Sequence, residues 1–415
     1  MGLAFDTNLV DVDLIPNGKG PPLELFKQWR QSDPVHWNPA PTPGSYVSAQ
    51  AGATLDKGFW VLTRYEDVEA VSRDQDLFSS WLGSPIIWDY EPEALERQRA
   101  GMMGMDPERH SRTKRLVMPV FTQKVMHDLE PSIERVARDI VDRVAAQGRC
   151  EFVFDIASRL PVYTFCQLLG VPEADQDLIF ELGNAAADTE NGDSNHGQVI
   201  VRLMEYALNL AAEKIANPDG SMMSKIANGK VDGDSLDPME VAMFFVLLSI
   251  AGHETTRSTA AHFIRLMTEY PEQYALLLSD PERYLANAIN ETLRFSPPVI
   301  KFRRTATRDT VIGNQPIKAG DKIYLSYPAA NRDPEVFPDP DRFDITRANA
   351  SQHLSFGVGP HICIGSRLAL MQLKHLLMQV ITRLPDFKID GDLTYLRTLW
   401  FSAIIDMPLQ FTPER

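Results

Sequence analysis

The sequence predicts one α+β domain over residues 1–415 that is mainly α-helical, with a long central helix and small β-sheets. Helical periodicity dominates from about residue 107 to 275, with breaks near 190–195 and 227–230. Short strand-like segments lie on both sides of this helical region. No linker rich in proline, glycine or serine separates the regions, so one domain fits the sequence better than two joined domains.

The strands are predicted where β-branched and aromatic residues cluster. Residues 59–63, Phe-Trp-Val-Leu-Thr, form the first clear case, and a short helix is expected from Tyr65 onward. Strands return after Pro297, at residues 310–312 and 322–325. The small sheets are therefore built from segments that lie far apart in the chain.

The longest helix has clear start and stop signals. Asp237 is a good N-cap residue, Pro238 suits the first turn, and the helix should end at Tyr270, before a proline. It would hold roughly 32 residues and span about 48 Å. Its segment 241–252 is nearly all apolar and too short to cross a bilayer, which predicts a core helix.

Composition limits the classes of function. The 415 residues are 44% hydrophobic, and 41 basic against 56 acidic side chains give a net charge of −15. Such a charge disfavours nucleic acid or an anionic membrane as a partner. Three widely spaced cysteines make no disulfide framework, which predicts a cytoplasmic location. The N-terminus lacks the pattern of a signal peptide or a membrane anchor.

The most informative segment is residues 356–365, Phe-Gly-Val-Gly-Pro-His-Ile-Cys-Ile-Gly. A helix that begins just after Cys363 would direct its positive end toward the sulfur and favour the thiolate. Zinc and iron–sulfur sites normally need several protein ligands, which a single cysteine cannot supply. Cys363 therefore indicates a haem iron with one protein thiolate.

Two further motifs are chemically unusual. Residues 251–256, Ala-Gly-His-Glu-Thr-Thr, place an acid and two hydroxyls within a buried helix, which is costly unless they are hydrogen-bonded or used. For Glu254 alone, a satisfied polar cluster is an equally good interpretation. Glu291 and Arg294 share one helix face at i, i+3, and such charges must be paired when buried.

With these motifs in this order, the sequence resembles the cytochrome P-450 family, in particular the soluble bacterial members that oxidise sterols, terpenoids or branched lipids. The resemblance runs from about residue 58 to a strand near residue 408. It implies haem b (iron protoporphyrin IX) beneath the long helix, with Cys363 as the iron ligand and Phe356 and Gly365 as part of the haem-binding loop. Gly252 would leave room for dioxygen, and Glu254 and Thr255 would relay protons.

The resemblance also assigns supporting residues. Arg304, His361 and His110 match positions that bind haem propionates, and Lys114 stands where the family usually has arginine. Lysine can neutralise a propionate but cannot form the bidentate fork. Glu291 and Arg294 match a structural ion pair, which Arg342 is expected to join from a later loop.

The substrate-binding residues are predicted from family positions. They suggest a large, mostly apolar ligand, and Lys301 and Arg303 are the nearest cations that could anchor a carboxylate. The predicted wall comprises Trp81, Ile86, Ile87, Met102, Met103, Val246, Ile250, Ala251, Val299, Ile300, Trp400 and Phe401.

The activity implied is that of a monooxygenase, which hydroxylates an unactivated carbon with O2 and two electrons. The electrons would come from a separate ferredoxin and an NAD(P)H-dependent ferredoxin reductase, with the acidic ferredoxin docking on Arg109, Arg112 and Arg115. A peroxide-driven peroxygenase and a non-catalytic haem-binding or sensor protein are the alternatives. The acid–alcohol pair, Glu254 and Thr255, argues against the peroxygenase. The absence of an output module argues against the sensor protein.

Overall fold

A computed structural model describes residues 4–11, 14, 20–42, 53–187, 196–230, 233–396 and 398–415. Its α-helices are α1 Leu23–Ser32, α2 Tyr65–Arg73, α3 Pro92–Ala100, α4 Pro107–Val117, α5 Gln123–Ala145, α6 Arg159–Leu169, α7 Gln176–Ala187, α8 His196–Ala216, α9 Met222–Ala227, α10 Pro238–Glu269, α11 Pro271–Ser279, α12 Pro281–Phe295, α13 Tyr327–Ala330 and α14 Ser366–Arg383. Its strands are β1 Val35–Asn38, β2 Ala53–Thr54, β3 Phe59–Leu62, β4 Phe78–Ser79, β5 Asp89–Tyr90, β6 Arg149–Glu151, β7 Lys301–Ala306, β8 Thr310–Ile312, β9 Gln315–Ile317, β10 Lys322–Ser326, β11 Lys388–Ile389, β12 Thr394–Tyr395, β13 Ile404–Asp406 and β14 Pro408–Gln410.

The long central helix α10 has the predicted bounds. The Asp237 side chain accepts from the backbone N–H of Glu240 and the Glu240 side chain accepts from that of Asp237, a complete capping box, with Pro238 in the first turn. The helix ends at Glu269, two residues before Pro271, as the start and stop signals predict. Its 32 residues contribute to both of the main apolar clusters between the helices.

The largest sheet has the strand order β1-β3-β10-β7-β4. The β10–β3 pair is parallel, and the other pairs in this sheet are antiparallel. At its edge, β4 pairs with β7 only through Phe78–Ala306 and Ser79–Thr305. The rest of that edge of β7 is therefore left for a loop to cover.

The buried core lies mainly between helices. One apolar cluster joins α5, α10, α12 and α14, and another joins α4, α6, α7, α8 and the first half of α10. Residues 356–365, termed the cysteine loop, directly precede α14, and the 251–256 motif lies on α10. Because α10 belongs to both clusters and α14 packs in the first, the core fixes the distance between these two motifs.

The fold is mainly helical with small sheets, as predicted, but one strand interrupts the predicted helical region. Strand β6 pairs with β14, more than 250 residues away, so local periodicity could not reveal it. The predicted break at 227–230 follows the end of α9, whereas the break at 190–195 lies outside the described residues. None of the described helices combines the length and apolarity that crossing a membrane requires.

Candidate active site

The cysteine loop is a tight turn held against α2. The backbone N–H of Cys363 donates to the carbonyl of Phe356 at 2.8 Å. Gly357 and Gly359 have φ of 68° and 78°, where side chains are disfavoured. At Gly359, a Cβ atom would lie 2.8 Å from the Ser72 carbonyl oxygen, so glycine is needed for this close approach. The glycines of the motif therefore determine where the cysteine lies.

Cys363 is exposed to a cavity, although protein atoms enclose the thiol on its other sides. Helix α14 begins three residues later, and hydrogen bonds from the backbone N–H groups of Gly365 and Ser366 act to lower the pKa of the thiol. Burial has the larger effect and raises this pKa above its ordinary value. A metal cation would favour the thiolate and offset the cost of burial. The sulfur is therefore well placed to be the single protein ligand of a metal.

The same cavity is bounded on another side by the middle of α10. Ala251, Gly252 and Thr255 line it together with Cys363. A Cβ atom added at Gly252 would have no heavy atom within 4 Å, so this glycine leaves open space next to the helix. The structure thus brings the two principal motifs of the sequence to one cavity.

The predicted acid–alcohol pair points in two directions. The Thr255 hydroxyl lies on the cavity wall and donates to the Ala251 carbonyl at 2.7 Å. Glu254 is fully buried and does not line the cavity. Its carboxylate forms an ion pair with Arg257 and accepts from the Ser258 hydroxyl at 2.7 Å. The carboxylate therefore has the satisfied polar surroundings that the sequence left open as an alternative.

Four basic side chains surround one end of the cavity: His110, Lys114, Arg304 and His361. The two imidazole centroids are 4.2 Å apart. Burial, with nearby Lys114 and Arg304, lowers the pKa of His110 to about 4. Burial likewise lowers the pKa of His361 to about 2, with Arg304, His110 and Lys114 adding to the effect. Both rings are therefore neutral near pH 7 and can donate one N–H each.

This cluster fits a bound group that carries carboxylates. Arg304 is buried, and its Nε has no hydrogen-bond partner in the part of the chain that the structure describes. Lys114 Nζ donates to the Pro360 carbonyl at 2.8 Å, beside the cysteine loop. A buried cationic donor such as Arg304 Nε needs an acceptor. A haem propionate would supply it.

The predicted structural ion pair is present, but its third member is different. Glu291 and Arg294 are fully buried and joined by bonds of 2.7 and 2.8 Å. The second arginine on Glu291 is Arg347, with Nε 3.1 Å from Oε1. Arg342 was the wrong choice for this role because its side chain is 66% exposed and lies 3.7 Å from Asp344. Only the backbone carbonyl of Arg342 contacts Arg294.

Four residues of the predicted substrate wall line the cavity: Met102, Met103, Ala251 and Val299. Trp81 instead lies between two guanidinium groups, 4.7 Å from Arg99 and 5.5 Å from Arg109. The remaining predicted wall residues pack within apolar clusters outside the cavity lining: Ile86, Ile87, Val246, Ile250, Ile300, Trp400 and Phe401.

Several cavity residues escaped the sequence analysis. On α10 they lie three, four and seven positions before Ala251, as one helix face requires. This spacing was the signal that could have identified them, because Val246 and Ile250 lie on other faces. These additional apolar lining residues include Pro161, Phe165, Leu168, Phe244, Leu247, Leu248, Pro298 and Phe302.

A cavity that is lined by one cysteine and by a cluster of basic side chains fits a haem-thiolate protein. The family model for cytochrome P-450 matches residues 282–390. A steroid C26-monooxygenase of Mycolicibacterium smegmatis is 34% identical over 399 residues, which cover 94% of this chain and 91% of that protein. A methyl-branched lipid omega-hydroxylase of Mycobacterium tuberculosis is 32% identical, over 87% of this chain and 86% of that protein.

Similarity to a solved structure agrees with these matches. A cytochrome P-450 from Mycobacterium marinum in complex with pseudoionone has a TM-score of 0.85 and 34% identity, and the match covers 94% of each chain. The chain belongs to the cytochrome P-450 family. It is a haem-dependent monooxygenase, as the sequence predicted.

Proposed function

We propose that this monooxygenase hydroxylates an uncharged, mostly apolar molecule of the steroid, terpenoid or branched-lipid kind. The observation that carries this proposal is the separation of charge within the cavity. Its charged or ionisable basic side chains, His110, Lys114, Arg304 and His361, form the propionate cluster. The wall next to α10 is apolar apart from threonine hydroxyls, which favours a ligand without a carboxylate.

The two cations considered as carboxylate anchors have other partners. Lys301 Nζ donates to the Leu399 carbonyl at 2.6 Å. Arg303 donates to the Trp88 carbonyl at 3.0 Å. Neither side chain lines the cavity, which supports a neutral substrate.

The names of the relatives support the same class of ligand. The M. smegmatis and M. tuberculosis relatives are named for a steroid and a methyl-branched lipid, and the M. marinum structure holds pseudoionone. Methionines at 102 and 103 give an adaptable wall, and Phe165 and Phe244 add rigid aromatic area.

The haem, when bound, supplies the activation of dioxygen and the transfer of one oxygen atom to carbon. Cys363 would hold the iron, and the four basic residues would hold the propionates. Thr255 presents its hydroxyl on the cavity wall, where Oγ1 can hold a proton and release it into the cavity. For Glu254 to pass protons to this hydroxyl, its carboxylate must leave Arg257 or act through intervening water.

We propose that the haem is haem b, bound without a thioether link. Cys150 and Cys166 are the two other cysteines, and neither lines the cavity. Burial raises the pKa of each thiol to about 12, so neither is a reactive thiolate. Extraction of intact protoporphyrin IX into acidified organic solvent would support this assignment, and a porphyrin that stays with the protein would contradict it.

A ferredoxin reduced by an NAD(P)H-dependent reductase is the proposed electron donor, in a cytoplasmic, single-domain enzyme. Arg115 on α4 is exposed. Arg109 pairs with Glu240 at 3.0 Å, and Arg112 donates to the Ser235 carbonyl at 3.0 Å. We expect Arg115→Glu to slow electron transfer most at low ionic strength, because exposed charges are screened by salt. Equal rates of electron transfer to the parent enzyme and to Arg115→Glu at low salt would argue against docking on α4.

The substrate class can be tested by titrating the ferric protein and following the Soret band. The ligands are testosterone, pseudoionone, and a methyl-branched fatty alcohol with its matching fatty acid. Displacement of the iron-bound water changes the spin state, so each bound ligand is visible without turnover. The neutral ligands should shift the band, and the alcohol should bind more tightly than the acid. Tighter binding of the acid would refute the neutral-substrate proposal.

A further inference from the structure

The loop that follows β4 covers the open edge of β7. Phe302 and Arg304 line the cavity, so Arg303, between them, points to the other face of the strand. The backbone N–H of Arg303 donates to the carbonyl of Pro85 at 2.7 Å. Pro85 itself lines the cavity. Residues 83–89, termed the 83–89 loop, therefore supply part of the cavity wall.

The side chain of Arg303 holds the far end of the same loop. It is buried, and its Nη1 donates to the carbonyl of Trp88 at 3.0 Å and to Asp89 Oδ1 at 3.3 Å. The other carboxylate oxygen of Asp89 pairs with Lys322, which is also buried. Two buried cations thus share the Asp89 carboxylate of the loop. Removing one member of a buried ion pair is destabilising, because it leaves a buried charge with fewer partners.

The loop is shaped around this guanidinium. A Cβ atom at Gly83 would lie 2.2 Å from Nη2 and 2.6 Å from Cζ of Arg303. These distances are shorter than any normal contact, so a side chain at this position would displace the Arg303 guanidinium from its place. Between the two attachment points, Ile87 is fully buried in the apolar cluster that contains Trp29.

We propose that Arg303 is a positioning residue that determines specificity, because it holds the 83–89 loop, and with it Pro85, at the wall of the substrate cavity. This inference rests on the proposed function. If the loop detaches, the wall moves outward, the ligand is held less firmly, and more than one carbon can reach the reacting centre. Arg303 does not contact the cavity, so it acts through the loop alone.

Two variants detach the loop by different routes. Arg303→Gln removes the bonds to Trp88 and Asp89, and Gly83→Ala keeps every charge but forces the guanidinium aside. Arg303→Lys, which keeps the charge without the fork, should fall between the parent and Arg303→Gln. The matched control is Lys318→Gln, which removes a cation from an exposed ion pair with Asp309 at 2.8 Å.

Hydrogen–deuterium exchange of peptides covering residues 83–89 gives a readout that needs no ligand. Exchange should rise in Arg303→Gln and Gly83→Ala and stay at the parent level in Lys318→Gln. In Soret titrations with testosterone and pseudoionone, a loop closed only a tenth of the time would raise Kd roughly tenfold. The ratio of hydroxylated products should also change, while the thiolate Soret spectrum stays the same.

Unchanged exchange and unchanged product ratios in both detaching variants would overturn this inference. If Arg303→Gln fails to fold, Gly83→Ala alone decides the question, because it leaves the ionic groups in place. Tighter binding of the fatty acid than of the fatty alcohol by the parent protein would instead refute the proposed function without changing the exchange result, so the two failures can be told apart.

Discussion

The buried ion cluster on Glu291 allows a direct comparison of two arginines. Arg347 is 8% exposed, and it donates to Glu291 at 3.1 Å and to the carbonyls of Pro338 and Arg342 at 2.6 and 2.9 Å. The Arg342 side chain is 66% exposed, with one contact at 3.7 Å. We expect Arg347→Ala to be strongly destabilising and Arg342→Ala to be nearly neutral.

The magnitudes follow from what each substitution leaves behind. Breaking a buried ion pair costs about 3–5 kcal/mol when the remaining charge has no partner. Glu291 keeps its two bonds to Arg294, so the loss should be smaller, about 2–3 kcal/mol, close to that of a few charge-assisted hydrogen bonds. Removal of the exposed Arg342 side chain should change the free energy of unfolding by about 0.5 kcal/mol or less.

Urea unfolding followed by far-ultraviolet circular dichroism measures both free energies. Haem loss provides a second readout, because hydrogen bonds connect the cluster to the cysteine loop. Arg294 donates to the Asn331 carbonyl at 3.0 Å, and Asn331 donates to the Ser355 hydroxyl at 2.9 Å. Arg347→Ala should therefore lose haem faster than Arg342→Ala. An Arg342→Ala variant that is as unstable as Arg347→Ala would refute this account of the cluster.

Three further predictions concern chemistry and pH. Thr255→Ala should keep the thiolate spectrum but divert electrons to peroxide, lowering the product formed per NAD(P)H severalfold; Thr268→Ala, which removes a similar bond to the helix backbone away from the cavity, should stay coupled. Cys363→Ala should lose the thiolate-type Soret band, and a retained band would refute the ligand assignment. Burial, with Glu66 nearby, raises the pKa of Asp67 from 3.8 to about 6. The folded state then holds more protons than the unfolded state between these values, so stability falls as pH rises through that window, by up to about 3 kcal/mol. Asp67→Asn should thus have a higher free energy of unfolding than the parent at about pH 7.5 and no higher one at about pH 4. An equal difference between the two proteins at both pH values, measured by urea unfolding, would contradict the raised pKa of Asp67.

The features predicted well from the sequence depend on local chemistry. The bounds of α10 follow from Asp237, Pro238 and Pro271 alone, because caps and prolines act within one turn. The cysteine loop is similar, since its glycines and the following helix are adjacent in the chain. Cys363 lies just before α14, and the 251–256 segment lies within α10. The two meet at one cavity because both helices pack in the same core.

Features that depend on side-chain direction were less predictable. Arg342 and Arg347 lie five residues apart in one irregular segment, where no periodicity shows which side chain turns inward. On α10, a shift of one residue moves a position by about 100° around the axis, which separates Val246 from the cavity-lining Leu247 and Ile250 from the cavity-lining Ala251. The contact of Glu254 with Arg257 is local, since the two residues are at i, i+3 on α10, but the burial of this pair depends on the helix packing.

The most direct test of the central claim uses isotopically labelled dioxygen. The parent protein is incubated with ferredoxin, reductase, NAD(P)H and the neutral ligand that shifts the Soret band most, and the product is analysed by mass spectrometry. The account predicts a hydroxylated product that carries one labelled oxygen atom, with little product from peroxide alone. Product without the label, or an equal rate with peroxide and no reductase, would contradict it.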